Sequence, residues 1–320
     1  MSDWVFDGLL GLGLLLLSWQ TLIGRDLFRS IIWFIVLGLL MTLCWARLAA
    51  PDVALAEAAI GAGVTGVLLL SAYRALLIDK PPRHPRSVVA RRRQTTAWAV
   101  GLAVFSTIVV GGLSWALLNL PQDGVDLGTL VRSRLAESGV SNVVTAVLLN
   151  FRGYDTLLEV AVLLLALLGV WTVHPKDETF SEASPDFAQD SPLVGALLHL
   201  LAPLIVLIGA YLLWTGAYAP GGAFQAGAVL AALGVMLYLS GRLTPTPKAN
   251  FSLRLLLICG PGVFSLIALA VMVWGGALLE YPKDWASLLI LAVETGVTIS
   301  IAVTLVLLVS GSPGLKRTYQ

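Results

Sequence analysis

The chain of 320 residues is 58% hydrophobic and only 12% charged, with a mean hydropathy of +0.88; a soluble globular domain is about half apolar and a quarter charged. That composition excludes a water-soluble enzyme. Twenty Lys and Arg against 19 Asp and Glu leave a net charge of +1, so no general basic surface points to nucleic acid.

Crossing a hydrocarbon layer roughly 30 Å thick takes about 20 apolar residues. Nine such runs follow one another, near 4–24, 30–48, 52–78, 97–119, 154–173, 193–215, 222–242, 253–278 and 286–310. The first carries Asp3 and Asp7, opens without basic residues and lacks a small-residue cleavage site, so it reads as a span and not as a signal peptide. The segment 141–151 (SNVVTAVLLNF) is apolar but too short to cross, and predicts a half-helix entering from the outer side. Just before it, 127–135 (LGTLVRSRL) predicts one or two amphipathic turns on the outer surface. The expected fold is an all-α polytopic membrane protein of about nine transmembrane helices plus that half-helix.

Lys and Arg near the span ends set the orientation. With the amino terminus outside, the inner segments hold Arg25, Arg29, Lys80, Arg83, Arg86, Arg91, Arg92, Arg93, Lys176, Arg242, Lys248, Arg254, Lys316 and Arg317. The outer ones hold Arg47, Arg132, Arg134, Arg152 and Lys283. The expectation is a multi-pass plasma (inner) membrane protein, amino terminus outside and carboxyl terminus cytoplasmic. The acidic, Pro-containing stretch 174–192 reads as a cytoplasmic linker between a membrane domain of five spans (1–173) and one of four (193–320).

Ionisable groups inside such helices cost about 2.5–3.5 kcal/mol on insertion scales, so each is a functional suspect. Glu57, Glu159 and Glu294 each sit a few residues past the outer end of a span running inward, roughly 5–14 Å below the rim. A carboxylate sheltered from water can bind and release a proton near neutral pH, which suits proton or cation exchange; each could equally cap or hydrogen-bond a neighbouring helix. Asp52, after Pro51, reads first as an N-terminal helix residue, and Asp155 as an ion-pair partner of Arg152. Small residues around Glu57 permit close helix approach and should turn it toward protein. Between the sixth and seventh spans, Pro220, Gly221 and Gly222 break the helix and Gln225 follows just inside the next one. That pattern fits a tight turn or a broken-helix site lining an aqueous cavity.

No phosphate-binding loop, nucleophile elbow, haem-attachment or Cys-rich metal motif occurs, and Cys44, Cys259, His84, His174 and His199 are isolated. No enzyme, cofactor or metal site is expected.

The stretches 51–70 (PDVALAEAAIGAGVTGVLLL) and 142–170 (NVVTAVLLNFRGYDTLLEVAVLLLALLGV) resemble the carboxyl-terminal region of the A subunit of Mrp-type multisubunit sodium/proton antiporters, a region also found as small subunits of membrane-bound hydrogenases. The stretch 201–237 is similar to the B subunit of those antiporters. The order resembles a fusion of the A-subunit tail to the B subunit. The resemblance implies membership in a large membrane complex related to the proton-pumping arm of respiratory complex I. It places Glu57 and Glu159 at family glutamates tied to ion translocation, and Glu294 at an acidic position of the last B-subunit helix. Ala217 departs from the family's usual His, and Ala223 and Ala226 from its usual Gly. The long antiporter-like domain that precedes the tail in a full A subunit is not in this sequence, and no span carries a central Lys, so a partner chain is expected to complete the route. Three readings follow: one component of an antiporter moving Na⁺ and H⁺ with other subunits in the bilayer, a structural adaptor joining such a module to a redox or bicarbonate-handling complex, or a self-sufficient carrier.

Overall fold

The computed structural model of the protein describes residues 2–24, 26–78, 88–120, 126–173, 192–274 and 276–317. The chain divides into two compact units, residues 75–130 and residues 1–74 with 131–320. The expected linker lies outside the described residues up to position 191, as do Lys80, Arg83 and Arg86.

In the larger unit α1 (Ser2–Ile23) and α2 (Leu27–Arg47) form an antiparallel hairpin. Asp26 caps α2 by accepting the Phe28 N–H at 3.0 Å. At the other end Arg47 Nε donates to Asp7 Oδ1 at 2.7 Å, which pins the start of α1 to the finish of α2. The third span is not a uniform helix. It is α-helical over α3 (Pro51–Ala56), π-helical over Glu57–Val64 and α-helical again over α4 (Thr65–Ile78). Ala58, Ala59, Gly61, Ala62 and Gly63 leave this stretch little side-chain packing to resist the wider turn, and Thr65 Oγ1 donates to Ile60 O at 2.9 Å. Gly38 of α2 lies so close to it that a Cβ there would stand 3.2 Å from Ala62 Cβ.

The smaller unit holds α5 (Val88–Leu118), whose stretch Val100–Leu118 is long and apolar enough to cross a bilayer. The amphipathic turns expected next are α6 (Leu127–Ser133) and a 3₁₀ turn over Leu135–Glu137.

The half-helix consists of four α-helical residues, α7 (Val143–Ala146), and five π-helical ones (Val147–Phe151), after which α8 (Gly153–Val173) begins. Asn142 caps α7 by accepting the Val144 N–H at 2.9 Å. At the other end Thr156 Oγ1 donates to Leu148 O at 2.6 Å. Both ends are thus tied down, as an interrupted helix in a membrane requires.

The carboxyl-terminal helices are α9 (Pro192–Thr215), α10 (Ala223–Leu239), α11 (Phe251–Val273) and α12 (Ala286–Ser310). Among the described residues eight helices are long and apolar enough to span, and α10 is shorter at 17 residues. The protein is an all-α polytopic membrane protein. The core is built on α12, which packs against α8, α9, α10 and α11 and buries Ile290, Val293, Val297, Ile301 and Leu305. Glycines allow this intimacy: a Cβ on Gly260 would reach 2.8 Å from Ser300 Cβ, and one on Gly227 would reach 2.8 Å from Ile301 Cγ2. Pro261 lies inside α11 and supplies no N–H for the carbonyl of Leu257 four residues back; Ser300 Oγ donates to that carbonyl at 2.6 Å instead.

The spacing of apolar residues gave no sign of a two-stranded antiparallel ribbon, β1 (Leu243–Thr246) against β2 (Gly314–Arg317), with Thr246 opposite Gly314. Four-residue strands around Pro245 are too short to show a period of two. Ser312 Oγ, fully buried, sits between the strands, donating to Gly314 O at 2.6 Å with Thr246 O 3.1 Å away.

Candidate functional site

The segment between α9 and α10 folds back on α9: Leu212 O accepts both the Gly216 N–H at 3.2 Å and the Gly222 N–H at 2.9 Å. Glycine is required here. Gly222 has φ 109°, and a Cβ on Gly216 would collide with the α-carbon of Gly222 at 2.6 Å. The reversal is gripped from the amino-terminal half of the chain. Ser141 and Asn142 donate their backbone N–H groups to Ala217 O at 2.9 and 3.0 Å. Asn142 Nδ2 donates to Ala219 O at 2.9 Å, and Thr145 Oγ1 to Gly216 O at 2.6 Å. The start of the half-helix is therefore a clamp on the Gly-rich turn, and Ala217 takes part through its carbonyl, for which no particular side chain is needed.

Asp52 grips the same turn from α3. Its Oδ1 accepts the Gly221 N–H at 3.1 Å, while its own backbone carbonyl accepts Gln225 Nε2 at 3.1 Å. The cap of α3 is Ala50, so the expected local capping role of Asp52 is replaced by a bond 169 residues away.

Glu294 stands where these elements meet. It is 2% exposed, and its Oε2 is buried with no hydrogen-bond partner among the described residues. Gly222, the cap at the amino-terminal end of α10, lies against the carboxylate: a Cβ there would stand 3.0 Å from Glu294 Oε1. Thr298, one turn further along α12, donates to Glu294 O at 2.7 Å. A cavity of about 70 Å³ lies beside it, lined by Glu294, Asp52, Gln225, Gly221, Gly222, Thr145 and Thr156 together with apolar neighbours. No Lys, Arg or His is among the described residues that line it.

Of the residues expected from sequence, the structure brings Asp52, Gly221, Gly222, Gln225 and Glu294 to one cavity. Pro220 precedes it in the turn. Glu57 and Glu159 do not line it. Glu57 is half-buried at the first residue of the π-helical segment, its carboxylate folded over Gly61. Glu159 is exposed on the surface of α8. Asp155 pairs with Arg152 in an exposed ion pair one turn above it. Thr145, Thr156 and Asn142 do not stand out in the sequence. The signal for them is that they are the polar residues of a short apolar segment and the turn after it, where every freed backbone group needs a partner.

Long apolar helices make the chain a multi-pass membrane protein, and the carboxylates buried among them at a helix break are its candidate functional groups. Comparison with known proteins shows what the chain is similar to. Three family models match in succession: MbhD, the D component of MBH, over 12–77; MbhE, the E component of MBH, over 91–183; and a domain related to the MnhB subunit of Na⁺/H⁺ antiporter over 193–315. A protein of Rhizobium meliloti (strain 1021) described as a probable K⁺/H⁺ antiporter A/B subunit is 26% identical over 260 residues, which cover 71% of this chain and 26% of that one. A putative antiporter subunit mnhA2 of Staphylococcus aureus (strain MRSA252) is 30% identical over 141 residues, 43% of this chain and 16% of that one. In fold, a chain of the Mrp complex from Dietzia sp. DQ12-45-1b matches with a TM-score of 0.73 at 22% identity, over all of this chain and 36% of that chain. The chain thus spans between a sixth and about a third of the length of these relatives. In the order of its matched segments the chain is similar to an Mrp-type A-subunit tail followed by a B subunit.

Proposed function

We propose that this chain is a membrane component of a multisubunit monovalent cation/proton antiporter, or of an antiporter-like module related to the proton-pumping arm of complex I, and that Glu294, Glu57 and Glu159 stand in the ion path. The observation that carries the reading is the Glu294 cavity. A carboxylate 2% exposed, with one oxygen lacking a donor, is expensive to keep unless it exchanges a cation or a proton. It is also built by both halves of the fusion, since Asp52 and Thr145 come from the A-tail-like half and Gly222 and Gln225 from the B-like half. The π-helical turn at Glu57 supports a role for that residue, because such turns concentrate at functional sites.

The exposure of Glu159 supports a partner. A carboxylate on a spanning surface is covered by protein or lines water, so another chain of the complex, a large antiporter-like one, covers α8. The proposed placement is the inner membrane, amino terminus outside and carboxyl terminus cytoplasmic, with the two membrane domains (1–173 and 193–320) joined by the linker 174–192.

The experiment is cation-driven proton movement in membrane vesicles carrying the chain with its native partners. Glu57→Gln, Glu159→Gln and Glu294→Gln should each abolish exchange while the complex still assembles. Full exchange with all three replaced would refute the reading and favour the structural adaptor, whose signature is collapse on disruption of 201–237 alone.

A further inference from the structure

Glu294 lies toward one end of α12; the ribbon that follows the other end carries charge of the opposite sign. We propose that the hollow between β2 and the start of α11 binds the phosphate headgroup of an anionic phospholipid, held by Lys248 and Lys316, with an acyl chain lying along α11. Nothing in this site depends on ion exchange at Glu294.

The demand for an anion begins in the sequence. From Pro192 to the carboxyl end the only acids are Glu280, Asp284 and Glu294, the first two in the connection between α11 and α12 and the third near the start of α12. The opposite ends of α10, α11 and α12 carry Arg242, Lys248, Arg254, Lys316 and Arg317, with no acid from this half of the chain. Lys248 and Lys316 are exposed and have no ion pair among the described residues. The fold then brings these two together. Lys316 stands opposite Thr244 in the ribbon, and the start of β2 lies so close to the loop before α11 that a Cβ on Gly314 would strike Lys248 O. Between them is an open hollow of about 360 Å³, lined by Thr246, Lys248, Asn250, Leu315, Lys316 and Arg317, with no carboxylate among the described residues that line it. Cations on both walls draw an anion into the gap.

Depth and surroundings say which anion. Asn250 caps α11 by accepting the Leu253 N–H at 2.8 Å, and α11 is a spanning helix of 23 residues, so the hollow sits where that helix leaves the apolar layer, at the level of phospholipid phosphates. Its volume far exceeds the roughly 30 Å³ share of one water, which suits a polyatomic headgroup. An apolar stripe starts at the next residue. Phe251, Leu255, Ile258, Leu266 and Leu269 are exposed, and with Gly262, beside which there is open space, they recur every three or four residues along one side of α11. A cationic hollow continued by an apolar stripe matches a molecule with an anionic head and a hydrocarbon tail. Inorganic phosphate would leave the stripe bare, and an acidic peptide laid along it would carry its backbone polar groups into hydrocarbon.

The test uses the full chain with its native partners, purified and delipidated in uncharged detergent. Phosphatidylglycerol should raise the heat-unfolding midpoint, whereas phosphatidylcholine at the same mole fraction and inorganic phosphate should not. Lys248→Gln combined with Lys316→Gln should raise the phosphatidylglycerol concentration needed for half the effect roughly 10- to 30-fold, as expected for the loss of two cations at a membrane surface. Should that double variant fail to assemble, Lys316→Gln alone, at an exposed position of the last strand, should raise it about 5-fold. Arg29→Gln, which removes an exposed cation at the start of α2, should leave it unchanged. A midpoint indifferent to phosphatidylglycerol, or raised equally by phosphatidylcholine or by inorganic phosphate, overturns the lipid site. So does an equal loss in Arg29→Gln, because general surface charge would then be the cause.

Discussion

Glu294 and Glu159 are the same residue type at a similar depth, about 12 and 9 Å along their helices from the first residue, yet their surroundings are opposite. Glu294 is enclosed by its own chain, under a reversed Gly-rich turn and on a helix packed against four others. Glu159 lies exposed on α8. The difference follows from what each helix packs on. α12 is central and 67% of its apolar window is buried, whereas only 17% of the α8 window is. An acid on an apolar helix can therefore be enclosed by its own chain or left on the chain's surface, and hydropathy does not tell the two apart.

The contrast can be broken most directly at the carboxylates. Glu294→Gln should lower exchange by about two orders of magnitude or more, as removal of an essential proton or cation acceptor does. A cysteine placed at 159 should react with a membrane-permeant maleimide in the free chain and be protected in the assembled complex; equal labelling of the two would show that no partner covers α8. The turn over Glu294 should be nearly as sensitive. Gly222→Ala puts a Cβ 3.0 Å from Glu294 Oε1 in a backbone conformation of φ 109°, so the variant should lose about 1–3 kcal/mol in detergent unfolding together with most exchange. Ser300→Ala leaves the Leu257 carbonyl unpaired beside Pro261 and should cost about 1–3 kcal/mol of stability, with little change in exchange per folded molecule. Smallest of all, Arg152→Ala removes an exposed ion pair from the α8 end and should change stability by no more than about 1 kcal/mol, measured as the same unfolding midpoint. A large loss there would mean that the surface of α8 is more closed than its exposure indicates.

Much of the site was legible residue by residue. Glu294, Asp52, Gln225 and the Pro220-Gly221-Gly222 break stand out because charge, amide and helix breakers are rare in apolar runs. Their meeting was not legible, since Asp52 and Gly221 are 169 residues apart and nothing in local pattern joins them. The clamp by Ser141, Asn142 and Thr145 was hidden for a related reason: such residues cap helices throughout proteins, and only the place of the half-helix against the turn makes them ligands of its carbonyls.

Sequence by itself determined the order of the apolar helices and the half-helix among them, because the bilayer imposes a length and a polarity that leave a one-dimensional trace, though α10, read as a span, is only 17 residues long. Tertiary structure alone decided which acid is enclosed, that the third span opens into a π-helix at Glu57, and that the last strand pairs with β1 from the far end of two intervening helices. Those outcomes depend on how closely backbones approach at Gly216, Gly222, Gly260 and Gly227. Closeness between distant segments is a property of packing, and hydrophobic periodicity does not record it.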